Sequence, residues 1–385
     1  MNGGGWPLVR RRIKKWQGAV NEASPKEWSI TMAVRVAIIF LMLFGFTFNA
    51  QAALRKFNMT IEEVDLKVAH GFTVKTWAFD GQVPGPLIHV KQGDTVEVAV
   101  ENDTTQPHTI HWHGTYQTGT WQMDGVPGVS QEAIQPGDSF TYKFVADKPG
   151  TLWYHCHVNT AEHIDERGMW GPMIVDPTNP VPIEKTVTKD AILMFSSWYS
   201  SVAQDYGKNG LPNRLPDYFS VNGKSFPDDQ PLRVKKGDVL RLRLIAPTTP
   251  VSFHLHGHDM LVFEKDGRPL ASPYYADTVP LQAGERYDVI VQMNNPGLWM
   301  AHDHNEEHTT AGGKEMSGSM LVFEYENIKK PDFYIWKNKK YDPDFYMSES
   351  LKKPYGKYDN PAFMGYDPSK PPPATAASSQ APVSD

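Results

Sequence analysis

Val90-Lys91-Gln92-Gly93-Asp94-Thr95-Val96-Glu97-Val98-Ala99-Val100 is the stretch on which the fold turns. A Gly-Asp turn is followed by alternating apolar and polar side chains, the period-two pattern of a strand with one face in a core. The same design returns as Val234-Lys235-Lys236-Gly237-Asp238-Val239-Leu240-Arg241-Leu242-Arg243-Leu244. Working outward, Phe79-Asp80-Gly81 answers to Val221-Asn222-Gly223, and Gln135-Pro136-Gly137 to Gln282-Ala283-Gly284. Pro149-Gly150 answers to Pro296-Gly297, and Gly168-Met169-Trp170-Gly171 to Glu315-Met316-Ser317-Gly318, both at an offset of 147 residues. Self-similarity over a whole domain means one architecture used twice. The prediction is an all-β chain with two antiparallel β domains, residues 53–178 and 185–326.

Composition agrees with that division. The 385 residues suffice for two domains that each bury a core. Thirty-one prolines, thirty glycines and twelve per cent aromatics suit short strands and turns rather than a helical bundle. A formal charge of -6 provides no large basic field, which argues against nucleic acid as a partner. After 327 the composition turns to Lys, Tyr, Pro and Asp, and from about Ser369 it is rich in Pro, Ala and Ser, the signature of a disordered end. The aromatic piece before that end, from Tyr334 to Tyr366, is expected to lie as an arm over a domain or a neighbouring chain.

Residues 1–52 read as a signal peptide with an N-terminal extension. Arg35 precedes an apolar run from Val36 to Phe48, and Ala50-Gln51-Ala52 is a small-residue cleavage pattern before Ala53. The run is shorter than the roughly 20 residues that span a bilayer. The basic cluster Arg10-Arg11-Arg12-Ile13-Lys14-Lys15 makes a long n-region, and Met32 is an alternative start. An exported protein, periplasmic or secreted, is expected. With one cysteine it cannot form an internal disulfide, so Cys156 is free to bind a metal.

That cysteine stands in His155-Cys156-His157, one of four His-x-His pairs; the others are 111/113, 254/256 and 302/304. Spacing of two puts both imidazoles of a pair on one strand face, and the cysteine on the other. The pairs occupy equivalent positions of the repeat: His111 and His113 answer to His254 and His256, and His155 and His157 to His302 and His304. Bringing the two domains' inner faces together would build an all-histidine pocket for several metal ions. His108, three positions before His111, faces with Cys156, and His163 and Met169 follow on a loop. Two histidines, a thiolate and a weak axial methionine are the ligand set of a blue-copper centre. In the second repeat Val251, Asp303 and Thr310 stand at the equivalents of His108, Cys156 and His163, so the second domain lacks such a centre.

His111-Trp112-His113-Gly114, His155-Cys156-His157, His254-Leu255-His256-Gly257-His258 and His302-Asp303-His304 together resemble the four copper motifs of multicopper oxidases. The resemblance covers about residues 57 to 325 and is strongest to two-domain, laccase-like oxidases. It implies two cupredoxin-like Greek-key β-sandwich domains and four coppers per subunit. His108, Cys156, His163 and Met169 would hold type 1 copper. His111 and His254 would hold type 2 copper, and His113, His155, His157, His256, His302 and His304 the type 3 pair. It further implies a homotrimer with a trinuclear cluster between domain 1 of one subunit and domain 2 of the next. Three-domain laccases carry His-Cys-His in their last domain, whereas this chain has His302-Asp303-His304 there.

Four coppers match the four electrons that reduce dioxygen to water, and no organic cofactor is needed. Asp124, in Met123-Asp124-Gly125, resembles the acidic residue that assists proton delivery near the cluster; Glu306 and Glu307 are weaker candidates. The expected activity is oxidation of phenols or similar small one-electron donors. A copper nitrite reductase is the alternative, but it has no use for eight paired histidines, and Ile110 stands where its aspartate is expected. A metal-ion oxidase and a copper-storage or electron-carrier protein without turnover are further alternatives; the fifteen methionines are dispersed, with no methionine-rich insertion to favour cuprous ions.

Overall fold

The structure is a computed structural model that describes residues 52–200, 215–332 and 334–338. The apolar run of the expected signal, the basic cluster before it and most of the C-terminal extension lie outside the described residues. Among those described, strands dominate, and no helix is long and apolar enough to cross a membrane.

The first repeat contributes β1 (Leu54–Ala69), β2 (Phe72–Phe79), β3 (Ile88–Lys91), β4 (Thr95–Asn102), β5 (His111–His113), β6 (Ser139–Val145), β7 (Gly150–His155) and β8 (Trp170–Asp176). They form two four-stranded sheets, ordered β2-β1-β4-β6 and β3-β8-β7-β5. The alternation in β4 is realised: Val96, Val98 and Val100 are fully buried, while the residues between them are half-buried or exposed. With Trp112, Tyr142, Phe144 and Tyr154 they fill the space between the sheets, and Cys156 and Met169 belong to the same core.

The second repeat contributes β9 (Lys189–Trp198), β10 (Tyr218–Val221), β11 (Leu232–Val234), β12 (Val239–Ile245), β13 (Val251–Leu255), β14 (Met260–Lys265), β15 (Arg268–Ala276), β16 (Thr278–Leu281), β17 (Arg286–Gln292), β18 (Leu298–Asp303), β19 (Thr310–Ala311), β20 (Lys314–Glu315) and β21 (Met320–Tyr325). Its sheets are ordered β15-β14-β17-β12-β9-β10-β19-β20 and β11-β21-β18-β13-β16. The expectation of antiparallel pairing needs one correction. β1 runs parallel to β4 and β3 to β8, and their counterparts β9 with β12 and β11 with β21 do the same. These parallel pairs join strands distant in sequence, as Greek-key closure requires.

A third apolar cluster joins the repeats, with Val83, Trp153, Ile164 and Trp170 meeting Met194, Trp198 and Ile245. The Ser225 amide also donates to the Val68 carbonyl at 2.8 Å. Beyond β21, Tyr334 and Trp336 pack with Phe226, Met320 and Val322, and the Tyr334 hydroxyl donates to Glu324 at 2.8 Å.

Candidate metal centres

Strand register places the histidines. β5 pairs with β7 so that His111 lies opposite His155, and β13 pairs with β18 so that His254 lies opposite His302. Directly opposed side chains have Cβ atoms about 4.5–5.5 Å apart. The repeat therefore builds the same four-histidine arrangement twice.

In the first repeat, ring centroids of His111 lie 5.7 Å from His113, 5.1 Å from His155 and 5.4 Å from His157. Nitrogens of His111, His113 and His155 all fall within 4.8 Å of one another. In the second repeat, His254 lies 5.0 Å from His256, 5.7 Å from His302 and 5.6 Å from His304, and the Nε2 atoms of His256 and His302 are 3.2 Å apart. Among the described residues no ring contact joins the two sets within the chain. They also differ in exposure: His155 is buried, whereas His256 and His304 are exposed.

Hydrogen bonds fix which nitrogen each ring offers. Nδ1–H of His111 donates to the Asp124 carbonyl at 2.8 Å, and Nδ1–H of His254 to the Asp277 carbonyl at 2.7 Å. His155 donates to the Cys156 carbonyl at 2.8 Å and His302 to the Asp303 carbonyl at 2.9 Å. A carbonyl only accepts, so Nδ1 carries the proton and Nε2 keeps its lone pair for a metal. Burial holds His155 well below the usual imidazole range and lowers His113 to about 3, so these rings are neutral at any ordinary pH, the form that can bind a metal.

On the other side of the same peptide, Cys156 Sγ lies 3.2 Å from His163 Nδ1 and 3.7 Å from His108 Nδ1, with those two nitrogens 3.3 Å apart. All three residues are buried. His108 Nε2 is taken by the Thr104 hydroxyl at 2.8 Å, which leaves Nδ1 for the shared point. Met169 is fully buried beside them, and its carbonyl accepts the Cys156 amide at 3.1 Å. His108 reaches this place from a single bridge to Ile134 rather than from a regular strand, so the parity argument applied to it gives the right face on the wrong element. Burial raises the thiol to about 11 and lowers His108 to about 3 and His163 to about 4. A soft thiolate with two imidazoles in a dry pocket is a donor set that fits copper.

Asp124 falls beside the first set. Its Oδ1 is 3.3 Å from His111 Nδ1 and its side chain is 41% exposed, so it links His111 to solvent. Gly125 permits this approach: at φ +82, a Cβ there would stand 1.9 Å from the Ile110 carbonyl oxygen. Ile110 itself is buried in the first core. Glu306 is 73% exposed, with Oε1 3.5 Å from His304 Nδ1.

Sequence reasoning missed His308. The repeat offset pairs His163 with Thr310, yet it is His308 Nδ1 that meets the Asp303 carboxylate, at 2.6 Å, while its ring stacks on Phe219 at 4.2 Å. Its position two residues before Thr310 was the available signal.

The multicopper oxidase family pattern matches residues 60–180 and again 197–324. A solved multicopper oxidase, mgLAC, is 60% identical with a TM-score of 0.72, over 78% of this chain and 95% of that one. The blue copper oxidase from Nitrosomonas europaea is 57% identical with a TM-score of 0.72, over the same shares. Among curated proteins, Laccase-2 of Botryotinia fuckeliana is 33% identical over 299 residues, 72% of this chain and 50% of that protein. The chain thus spans about half the length of the curated relatives it matches. With both repeats matched and their histidine sets in place, the chain belongs to the multicopper oxidase family, whose cofactor is copper of types 1, 2 and 3.

Proposed function

We propose that the chain is a laccase-like oxidase that removes single electrons from phenolic or similar donors and delivers them to dioxygen, giving water. His108, Cys156, His163 and Met169 would hold type 1 copper. His111 and His254 would hold type 2, and His113, His155, His157, His256, His302 and His304 type 3. Bound copper supplies reversible one-electron redox chemistry and, as four ions, the four electrons that dioxygen needs. The observation that carries the reading is the back-to-back placement on one peptide: Cys156 turned into the core with His108 and His163, and His155 turned to the histidine set.

The residues have separable tasks. Cys156 is bonded through the main chain to His155 and His157, which gives electrons a short covalent route between the two kinds of site. Burial of His108, Cys156 and His163 keeps water from the thiolate. Asp124, at the solvent edge of His111, is placed to pass protons inward. The exposed His256 and His304 favour a cluster completed by another copy of the chain, and a homotrimer is the proposed assembly. Export to the periplasm or exterior rests on the apolar run 36–48 and the Ala-Gln-Ala pattern.

Copper counting with native mass spectrometry tests the scheme, with four coppers per chain in a trimer expected. Two coppers per chain, with nitrite reduction and no dioxygen uptake, would overturn it. Cys156→Ser should lose the blue colour and phenol oxidation while retaining cluster copper; retained oxidation would refute the relay.

A further inference from the structure

His108 is fully buried and His163 is 3% exposed, so a donor in solution has almost no imidazole edge to touch. What stands between them and solvent is Trp77. Its ring centroid lies 4.7 Å from that of His163 and 5.3 Å from that of His108, both contact distances. Trp77 is half-buried, and its outer side forms part of a cleft of about 450 Å³ lined also by Glu63, Asp65, Lys75, Thr105 and Arg167, with neither histidine in the lining.

Strand register builds this cleft. β1 and β2 pair with Glu63 opposite Trp77 and Asp65 opposite Lys75, so these four side chains share one face of the hairpin. Asp65 and Lys75 form an ion pair at 3.1 Å. Thr105 donates its hydroxyl to Glu63 at 2.7 Å, and hydrogen bonds from Thr105 and the Trp77 indole keep the Glu63 carboxyl below its ordinary range. The Arg167 guanidinium lies 5.0 Å from the Trp77 ring and is tied to the Lys75 carbonyl at 2.6 Å. Within the lining two carboxylates face two cations, of which Arg167 also pairs with Glu162 at 3.5 Å. A balanced lining gives no excess negative field to concentrate metal cations, whereas an aromatic wall with a carboxylate beside it suits a neutral ring that bears a hydroxyl.

We propose that Trp77 is the port through which electrons come in: a phenolic donor stacks on its cleft face, and each electron crosses the indole to the His108–Cys156–His163 centre. This rests on the oxidase reading and names the residue that touches the donor. In the step, the phenol loses one electron through Trp77 to the oxidised type 1 centre of the holoenzyme. It also loses its hydroxyl proton to the Glu63 carboxylate, leaving a phenoxyl radical that departs.

The test uses Trp77→Leu and Trp77→Phe in the full chain. In copper-free protein, calorimetric binding of 4-nitrophenol should weaken about tenfold in Trp77→Leu, the scale of a lost aromatic stack, and recover in Trp77→Phe. In copper-loaded, anaerobic protein, the saturating rate at which hydroquinone bleaches the blue band should fall at least about tenfold in both variants, because neither leucine nor phenylalanine replaces the indole as carrier. The blue spectrum itself should stay unchanged, which separates loss of the port from loss of the fold. A Trp77→Leu variant with an intact blue band, wild-type binding and wild-type bleaching would overturn the proposal. If wild type consumed no dioxygen with hydroquinone the oxidase reading would fall, and the calorimetric contrast would still decide for or against the cleft.

Discussion

Gly125→Ala is the substitution whose cost follows most directly from the coordinates. The new Cβ would lie 1.9 Å from the Ile110 carbonyl oxygen, 2.4 Å from its carbon and 2.8 Å from the His111 nitrogen. Ordinary carbon–oxygen contacts are about 3.3–3.6 Å, so the two segments must part by more than about 1 Å. What moves is the pairing that orients His111, whose Nδ1 is held by the Asp124 carbonyl at 2.8 Å with Asp124 Oδ1 3.3 Å away. A misplacement of about 1 Å at a reacting site can cost about 100-fold in rate. The left-handed backbone adds about 1–2 kcal/mol and the overlap about 1–3 kcal/mol of lost stability. Gly137→Ala is the matched control: φ is +80, but a Cβ there meets nothing within 4 Å, so only the backbone term applies. Dioxygen uptake with a saturating phenol, the urea midpoint and the blue-band intensity are the readouts. Gly125→Ala should lose turnover about 100-fold while keeping its blue band, since Cys156, His108 and His163 are untouched. If its turnover stayed within about twofold of Gly137→Ala, the argument that Asp124 positions His111 would fail.

Loading the type 1 site should release one proton per copper between about pH 5 and 8, because the buried Cys156 thiol, raised to about 11, is protonated there, while His108 and His163, lowered to about 3 and 4, are already neutral. Calorimetry in buffers of differing ionisation heat counts that proton, and zero or three would contradict the assignment. The same depressed imidazoles set the sign of metal-free stability. The unfolded chain gains protons below about pH 6.5, so stability should fall as pH drops from there toward the folded values near 3 to 4, visible as a lower urea midpoint at pH 5 than at pH 7. Co-assembly of His113→Ala with His256→Ala chains should restore roughly a quarter of wild-type dioxygen uptake if each cluster joins two copies in a ring. A cluster built within one chain would recover none.

The fold and most of the candidate site were legible because the signals are local and repeated. Period-two alternation at Val96, Val98 and Val100 reports a buried face directly, and the His-x-His spacing reports a shared one. The parallel pairs were not legible, since β1 with β4 and β9 with β12 depend on how the sandwich closes rather than on either strand's own pattern. The role of Trp77 was hidden for a related reason. Nothing near it in sequence is a ligand, and it meets His108 and His163 only through packing of β2 against segments 31 and 86 residues further on.

His308 shows where the repeat itself misleads. After His157 the chain makes a π-helical turn over Ala161–Glu166 that carries His163 to Cys156; after His304 it makes a shorter 3₁₀ turn over Glu306–Thr309. The offset of 147 is kept on both sides of the turn, but the two turns wind differently, so the side chain that reaches Asp303 comes from two positions before Thr310. There the carboxylate is fully buried and accepts from the Ser252 amide at 2.8 Å, the Asn305 amide at 3.1 Å and His308 Nδ1 at 2.6 Å. A buried carboxylate with three donors is a stable substitute for a bound metal. The second repeat therefore holds the backbone between His302 and His304 by hydrogen bonds alone, where the first would do so with a metal at Cys156. Both repeats turn the same pair of imidazoles toward their own histidine set. This agrees with the proposed reading, in which the pair would serve the cluster in either repeat and the thiol would stand only where electrons are taken in.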